Sequence, residues 1–181
     1  MENKKPRISK NRILHMHGVA EYMYEHAPEY GLDPEQMYLL GLVHDVGYIH
    51  SKYNHEKNGA NILKRAGYKN ADLVENHGNN PEDYINEFIA SARIVPKELV
   101  LLWEADMLID SKDCPGEIIT FEQRLASVAR KCGVDSVQYR NKKAKMDWLI
   151  KYMDRYKVNK AVKKSLDNNK EQEVEEESYG T

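Results

Sequence analysis

The stretch MYLLGLVHDVG, residues 37–47, is apolar on almost every side, yet it contains the adjacent pair His44 and Asp45. The preceding segment Asp33-Pro34-Glu35-Gln36 favours a helix start, because it supplies an N-cap oxygen, a proline for the first turn and a capping-box glutamine. A helix that is apolar all round is predicted to be the buried central helix. A carboxylate there costs free energy unless it is paired or bound to a metal ion. A His–Asp hydrogen bond that only shapes the core is the alternative.

The other periodic segments of the chain also predict helices. They cover about residues 9–27, 55–66, 71–77, 97–109, 120–132 and 136–160, and a further short helix is predicted to open at Pro81. Sustained alternation of apolar and polar residues, the mark of a strand, is missing from the sequence. We therefore expect an all-α fold.

The size of the chain, 181 residues, suits one domain with a tail. We expect a folded domain over residues 1–166 and a disordered acidic tail over residues 167–181, because the tail has six acids, one lysine and little apolar content. Without this tail the body is mildly positive, which suits an anionic small substrate.

Composition also bears on partners and compartment. The formal net charge of −2 argues against a dedicated nucleic-acid or membrane-surface protein. The apolar runs are too short to span a bilayer, and the charged first residues do not resemble a signal peptide, so a cytoplasmic location is expected. Cys114 and Cys132 have no CxxC pairing and are interpreted as ordinary thiols.

Two further polar residues lie in apolar helices. His17 is predicted on the apolar stripe of the first helix with Ile13 and Tyr24, whereas His15, about 200° round the helix, should point elsewhere. Taken alone, a histidine in such a place is more often a core residue than a ligand. Asp106 lies within the apolar segment LLWEADMLID. Together with His44 and Asp45, these imidazoles and carboxylates suit Mn, Fe, Mg or Zn.

The order His17, His44-Asp45, Asp106 resembles the HD-domain superfamily of metal-dependent phosphohydrolases. Three contexts carry the resemblance over about residues 8–133: RILHMHGVAEYM, LLGLVHDVGY and LLWEADMLID. It implies a helical bundle with a five-helix core, here with additional C-terminal helices, and metal ligation by these four residues. It also implies an enzyme that uses metal-activated water to cleave a phosphate ester or anhydride of a nucleotide-like small molecule.

The superfamily has a two-metal branch, and His55 and His77 resemble its two extra histidines. The resemblance then implies that Asp45 is the catalytic centre and bridges both ions. Alternatively, these two histidines line the cleft or bind a substrate phosphate in a one-metal enzyme. One or two divalent ions are expected, Fe or Mn first, with Mg, Zn, Ni and Co as alternatives.

Substrate contacts are less defined by the sequence. Many two-metal members have a lysine where this chain has Tyr48, and Lys52, four residues later, is the candidate substitute. Lys52 and Arg65 are the candidate substrate-binding residues, followed by the stretch 142–145. The basic side of the last helix is interpreted as a solvated face, with an anion-binding stripe as the alternative. The expected partner is a small phosphate compound, and self-association stays open.

Two other functions remain in play. A few two-metal members of the superfamily are mixed-valent di-iron oxygenases with the same ligand set, because a fold does not fix a function. A non-catalytic nucleotide-binding regulator on the same scaffold is the other alternative.

Overall fold

The computed structural model describes residues 8–79 and 95–158, and within these ranges the fold is all-α, as predicted. No strand occurs in the described ranges, where the one β-type pairing is an isolated bridge between Ile109 and Ile118. The helix predicted at Pro81 and the acidic tail lie outside the described residues. The helices are α1 (Lys10–Tyr30), α2 (Pro34–Val43), α3 (His55–Arg65), α4 (Ala71–Asn76), α5 (Lys97–Leu108), α6 (Phe121–Cys132) and α7 (Val137–Tyr152).

The centre of the core is α5 rather than α2, and this corrects the prediction from the sequence. Every residue from Leu99 to Ala105 is buried. In α2 only Met37, Leu40 and Gly41 are buried, and Leu39 is 45% exposed. An apolar surface leucine is common in folded proteins, so an apolar sequence does not by itself place a helix at the centre.

The first two helices pack with their backbones in close approach. A Cβ atom added to Gly41 would lie 2.7 Å from the Cα atom of Ala20, so only glycine fits there. Helix α1 runs three residues beyond the predicted end at Ala27, with Pro28 inside its last turn. Gly31 then ends it with a left-handed conformation at φ 68°.

The pair His44 and Asp45 lies just after α2 and not inside it. The α-helix ends at Val43, and a short 3₁₀ helix, Val46–Ile49, follows Asp45. Gly47 in this segment packs so tightly on α3 that an added Cβ atom would lie 1.9 Å from a backbone oxygen. The tight turn and close packing bring the start of α3 beside the Asp45 carboxylate.

The last described residues pack back onto α1. Helix α7 ends at Tyr152, a short 3₁₀ helix follows, and the backbone N–H of Val158 donates to the carbonyl of Glu29 at 2.7 Å. The predicted helix to residue 160 is therefore too long. This segment completes the bundle around α1 and α5.

Within residues 8–79 and 95–158, none of the helices is both long and apolar enough to cross a membrane. The cytoplasmic location, the division at residue 166 and the open oligomeric state stay predictions.

Candidate metal centre

The carboxylate of Asp45 is buried, and three imidazoles converge on it. The Nε2 atom of His44 lies 3.3 Å from Oδ2, while Nε2 of His55 and Nε2 of His77 lie 3.1 Å and 3.5 Å from Oδ1. The two oxygens of one carboxylate thus face different histidines. The structure therefore brings four of the six residues predicted as metal ligands together at this carboxylate, and Asp106 is the fifth member of the cluster.

A second carboxylate and a fourth imidazole adjoin this group. Nε2 of His15 lies 3.3 Å from Oδ1 of Asp106 and 3.9 Å from Oδ2 of Asp45. The ligand atoms of His15, His44 and Asp106 all lie within 4.8 Å of one another. His15 is buried and supplies the first histidine of the cluster.

The predicted position of His17 is therefore wrong, since its side chain is exposed. The prediction used Ile13 and Tyr24 to mark the buried stripe of α1, but each is 44% exposed. The buried face instead includes His15, Val19 and Met23. Apolar side chains at the surface shifted the expected face and exchanged the roles of the two histidines.

Backbone carbonyls fix which nitrogen carries the proton in the neutral form of three of the imidazoles. A backbone carbonyl only accepts, so a ring nitrogen that contacts one carries the proton, and the other nitrogen of the neutral ring has a lone pair. In His15, His44 and His77 the nitrogen facing a carbonyl is Nδ1. The partner carbonyls are, respectively, those of Asp110 at 3.3 Å, Gly41 at 2.7 Å and Val74 at 2.6 Å.

The lone pairs on Nε2 consequently point toward carboxylate oxygens. The buried Nε2 atoms of His15 and His44 make no hydrogen bond within the described part of the chain. Facing lone pairs repel, and burial increases the penalty, unless a cation lies between them. Neutral imidazoles and carboxylates are also the donors that borderline divalent ions prefer, so the residues present fit a divalent metal ion.

Both carboxylates are held ionised. Burial by itself would raise the pKa of Asp45, but the charge of protonated His44 and the hydrogen bonds that it and the other facing imidazoles then donate bring it well below its usual range. When these rings are neutral, a bound cation would take the place of those protons. Burial likewise opposes ionisation of Asp106, and Lys142 and His15 outweigh it, so the pKa of Asp106 is also well below its usual range. Both carboxylates are therefore ionised, and although a basic side chain contacts Oδ2 of each, the Oδ1 atoms face the histidines.

A further carboxylate, Glu56, belongs to the cluster and was not among the residues predicted from the sequence. Ligand atoms of His55, Glu56 and His77 lie within 4.8 Å of one another. The Glu56 carboxylate lies against Gly78, where an added Cβ atom would be 2.4 Å from Oε1. Glu56 directly follows His55 in the sequence, and this adjacency was the available signal.

Arg12 is the second residue that the sequence analysis missed. Its Nη1 atom lies 2.5 Å from Oδ2 of Asp45, and its guanidinium lies over the Tyr48 ring at 4.2 Å from the centroid. Arg12 precedes His15 by three residues, the spacing of neighbours on one helix face. Correct assignment of the buried face of α1 would have included it.

Beside the cluster lies a pocket of about 370 Å³ whose charged lining side chains are lysines. Tyr48, His55 and Gly78 form the wall nearest the cluster. Most of the remaining lining comes from α6, α7 and the connection before α6. Those residues are Lys112, Val128, Lys131, Cys132, Gln138, Asn141, Lys142 and Lys145.

The predicted substrate residues Lys52 and Arg65 are not among those that line the pocket. Both are exposed, and the Lys52 ammonium lies 5.0 Å from the centroid of the Tyr53 ring. Their role stays a prediction. Lys142 and Lys145 belong to the stretch 142–145, which was the next candidate after Lys52 and Arg65, and both line the pocket. The Nζ atom of Lys142 lies 2.8 Å from Oδ2 of Asp106.

Comparison with known families agrees with this geometry. The family model described as HD domain matches residues 12–157, and the chain belongs to the HD-domain family. HD domains bind divalent metal ions, and membership implies phosphohydrolase-type activity in general terms. No curated protein and no solved structure matches the chain.

Proposed function

We propose that the protein is a metal-dependent phosphohydrolase acting on a phosphate ester or anhydride of a nucleotide-like small molecule. The observation that carries this proposal is the orientation of the imidazoles. His15 and His44 present buried Nε2 atoms, which make no hydrogen bond in the described part of the chain, to two carboxylates, and the cluster borders a pocket rich in lysine. The first feature calls for a cation and the second for an anion.

The ligand atoms divide into two groups around Asp45. His15, His44, Asp45 and Asp106 would hold one divalent ion, and Asp45, His55 and His77 would hold a second, with Glu56 beside it. Asp45 bridges the two groups because its oxygens face opposite sides. Bound ions supply a water of lowered pKa and positive charge opposite the phosphate.

The chain's own groups orient this site. The Nδ1–H contacts of His15, His44 and His77 with backbone carbonyls fix the direction of each Nε2 atom. Arg12 and Lys142 each place a cationic group on one of the two carboxylates. These contacts hold the donors in position before a substrate arrives, which reduces the reorganisation that binding requires.

The test combines metal analysis with phosphate release. Protein purified without chelator should contain a divalent metal, and it should release phosphate from nucleoside or sugar phosphates when Mn²⁺ or Fe²⁺ is supplied. His44→Ala should lose both metal and activity while staying helical. His26→Ala is the control, because His26 contacts Glu29 at 2.7 Å and lies outside the cluster.

Retention of metal and activity by His44→Ala would contradict the proposal. Oxygen consumption without phosphate release would instead support the oxygenase alternative. Metal-free protein that binds nucleotides without turnover would support a regulator. The lysine-rich pocket favours a phosphate substrate over both an uncharged organic one and a purely structural role for the cluster.

A further inference from the structure

The pocket beside the metal cluster has an unbalanced charge. Among the lining residues from the described ranges, four are lysines and none is a carboxylate. Like charges in one concave site repel each other, and low-dielectric walls strengthen their field. Such an arrangement is costly in the free protein and becomes favourable when an anion binds.

Two of the lysines already have partners and two do not. Lys142 contacts the Asp106 carboxylate, and Lys145 donates to the backbone oxygen of His77 at 2.7 Å. The side-chain ammonium groups of Lys112 and Lys131 make no ion pair or hydrogen bond with any residue in the described ranges. Burial lowers the pKa of Lys112, and the nearby charge of Lys131 lowers it further. Lys112 and Lys131 are thus the cations with free donors.

Lys112 and Lys131 line the pocket from segments that contribute no residue to the metal cluster. Tyr48 and His55 line the pocket at the cluster, while Lys112 precedes α6 and Lys131 lies near its end. The two lysines therefore come from a part of the fold that supplies no ligand atom to Asp45. One molecule that fills the pocket would reach from the cluster to Lys112 and Lys131.

We propose that Lys112 and Lys131 form a binding subsite for a second phosphate group of the substrate, distinct from the phosphate at the metal cluster. This inference rests on the proposed function and narrows its substrate class to small molecules with at least two phosphate groups. The pocket volume of about 370 Å³ lies within the range of small-ligand sites, which is about 300–1,000 Å³. Lysine binds phosphate as a point charge with three donors.

The experiment compares two probes that differ by one phosphate group. The probes are analogues of adenosine monophosphate and adenosine diphosphate in which a methylene group replaces each bridging oxygen, so that the protein does not hydrolyse them. Their binding is measured by calorimetry at a fixed concentration of free Mn²⁺. The proteins are the full chain, the double variant Lys112→Gln with Lys131→Gln, and Lys151→Gln. Lys151 is an exposed lysine on α7 that does not line the pocket, so it controls for the loss of a surface charge.

We expect wild-type protein to bind the diphosphate at least about 10-fold more tightly than the monophosphate, as charge-assisted hydrogen bonds of this kind allow. In the double variant this ratio should fall toward one, while monophosphate affinity and metal content stay close to wild type. Lys151→Gln should keep the wild-type ratio. Both replaced lysines are exposed, so the double variant should fold normally.

A wild-type protein without preference for the diphosphate would overturn the proposal, and so would a double variant that keeps the full ratio. The result does not depend on turnover. If no phosphate is released from any substrate but the ratio falls in the double variant, the proposed hydrolase activity is wrong and the phosphate subsite is supported. If hydrolysis is observed but the ratio is unchanged, the subsite is wrong and the hydrolase stands.

Discussion

The imidazole of His15 contacts the carboxylate of Asp106, with 3.3 Å between Nε2 and Oδ1, and this contact joins helices α1 and α5 at the metal cluster. His17, two residues later, faces solvent. The two histidines form a matched pair, because both lie on α1 but only the side chain of His15 is buried. Replacing each in turn tests the ligand assignment directly.

His15→Ala should lower the metal content and reduce phosphate release by more than about 100-fold. Even loss of a group that only orients a ligand costs about 10- to 100-fold in affinity or activity, and His15 is placed as a ligand. Metal analysis, phosphate assay and circular dichroism give the three readouts. His17→Ala should match wild type in all of them. The reverse pattern would place the first ligand at His17 and contradict the structure.

The number of bound ions tests whether the site has two metals. If His55 and His77 complete a second site around Asp45, wild-type protein should approach two metal ions per chain. His55→Ala should then approach one, because His15, His44 and Asp106 still hold the first ion. Phosphate release should fall steeply, since attacking and leaving oxygens would no longer share two ions.

Titration with Mn²⁺ followed by metal analysis of the desalted protein measures this number. His50→Ala is a suitable control, since His50 is exposed and lies outside the cluster. Wild-type protein that saturates at one ion under excess metal would show that His55 and His77 face the substrate in a one-metal enzyme.

Features of the fold that depend on neighbouring residues were predictable from the sequence. Asp33 accepts from the backbone N–H of Gln36, and Thr120 forms a reciprocal capping box with Gln123, as predicted. Both are contacts across one helical turn, so residue type and spacing determine them. Gly133 ends α6 with a positive φ angle for the same local reason.

Features that depend on packing were less accessible. The choice between His15 and His17 required the buried face of α1, and exposed Ile13 and Tyr24 gave the wrong face. The lysine pocket joins residues far apart in the chain, so no single segment of sequence indicates it. Five of the six predicted ligands belong to the cluster around Asp45, because the resemblance to a known family supplied the tertiary information that spacing lacks.

The close packing of Gly47 on α3 yields a further prediction. An added Cβ atom would lie 1.9 Å from the carbonyl oxygen of His55 and 2.5 Å from the backbone N of Gly59. Backbone atoms yield less than side chains, so Gly47→Ala should displace α3 and move His55 away from Asp45. We expect a loss of about 1–3 kcal/mol in the free energy of unfolding, as for overpacked sites, and weaker binding of the second metal ion.

Gly59→Ala is the graded control for that substitution. Its added Cβ atom would lie 3.2 Å from the Gly47 backbone N and 3.3 Å from a methyl group of Val74, contacts that small shifts relieve. Urea unfolding and metal titration of both variants measure the difference. Equal stability and metal binding in Gly47→Ala and wild type would mean that the turn is not tightly packed.

The buried carboxylate of Glu104 gives a prediction for alkaline pH. The hydroxyl of Tyr30 donates to one of its oxygens at 2.5 Å, and that of Tyr22 donates to the other at 3.1 Å. Burial raises the pKa of both tyrosines above the ordinary value near 10, and the facing carboxylate raises it further. A raised pKa in the folded state stabilises the protein below about pH 10, and this contribution is lost as pH rises toward the folded-state value.

Above about pH 10 the unfolded chain therefore releases protons that the folded chain keeps, and each such tyrosine lowers the free energy of unfolding by about 1.4 kcal/mol per pH unit. Tyr30→Phe should be less stable than wild type near neutral pH by about 1–3 kcal/mol, because a buried carboxylate loses a donor. Its stability should nevertheless fall less steeply above about pH 10, since one of these groups is gone. Urea unfolding from about pH 8 to about pH 11 measures both effects. Tyr53→Phe is the control, because Tyr53 is 70% exposed, and its free energy of unfolding should fall with pH as steeply as that of wild type. If the free energy of unfolding of Tyr30→Phe also falls as steeply as that of wild type, Tyr30 does not contribute to the loss of stability at alkaline pH.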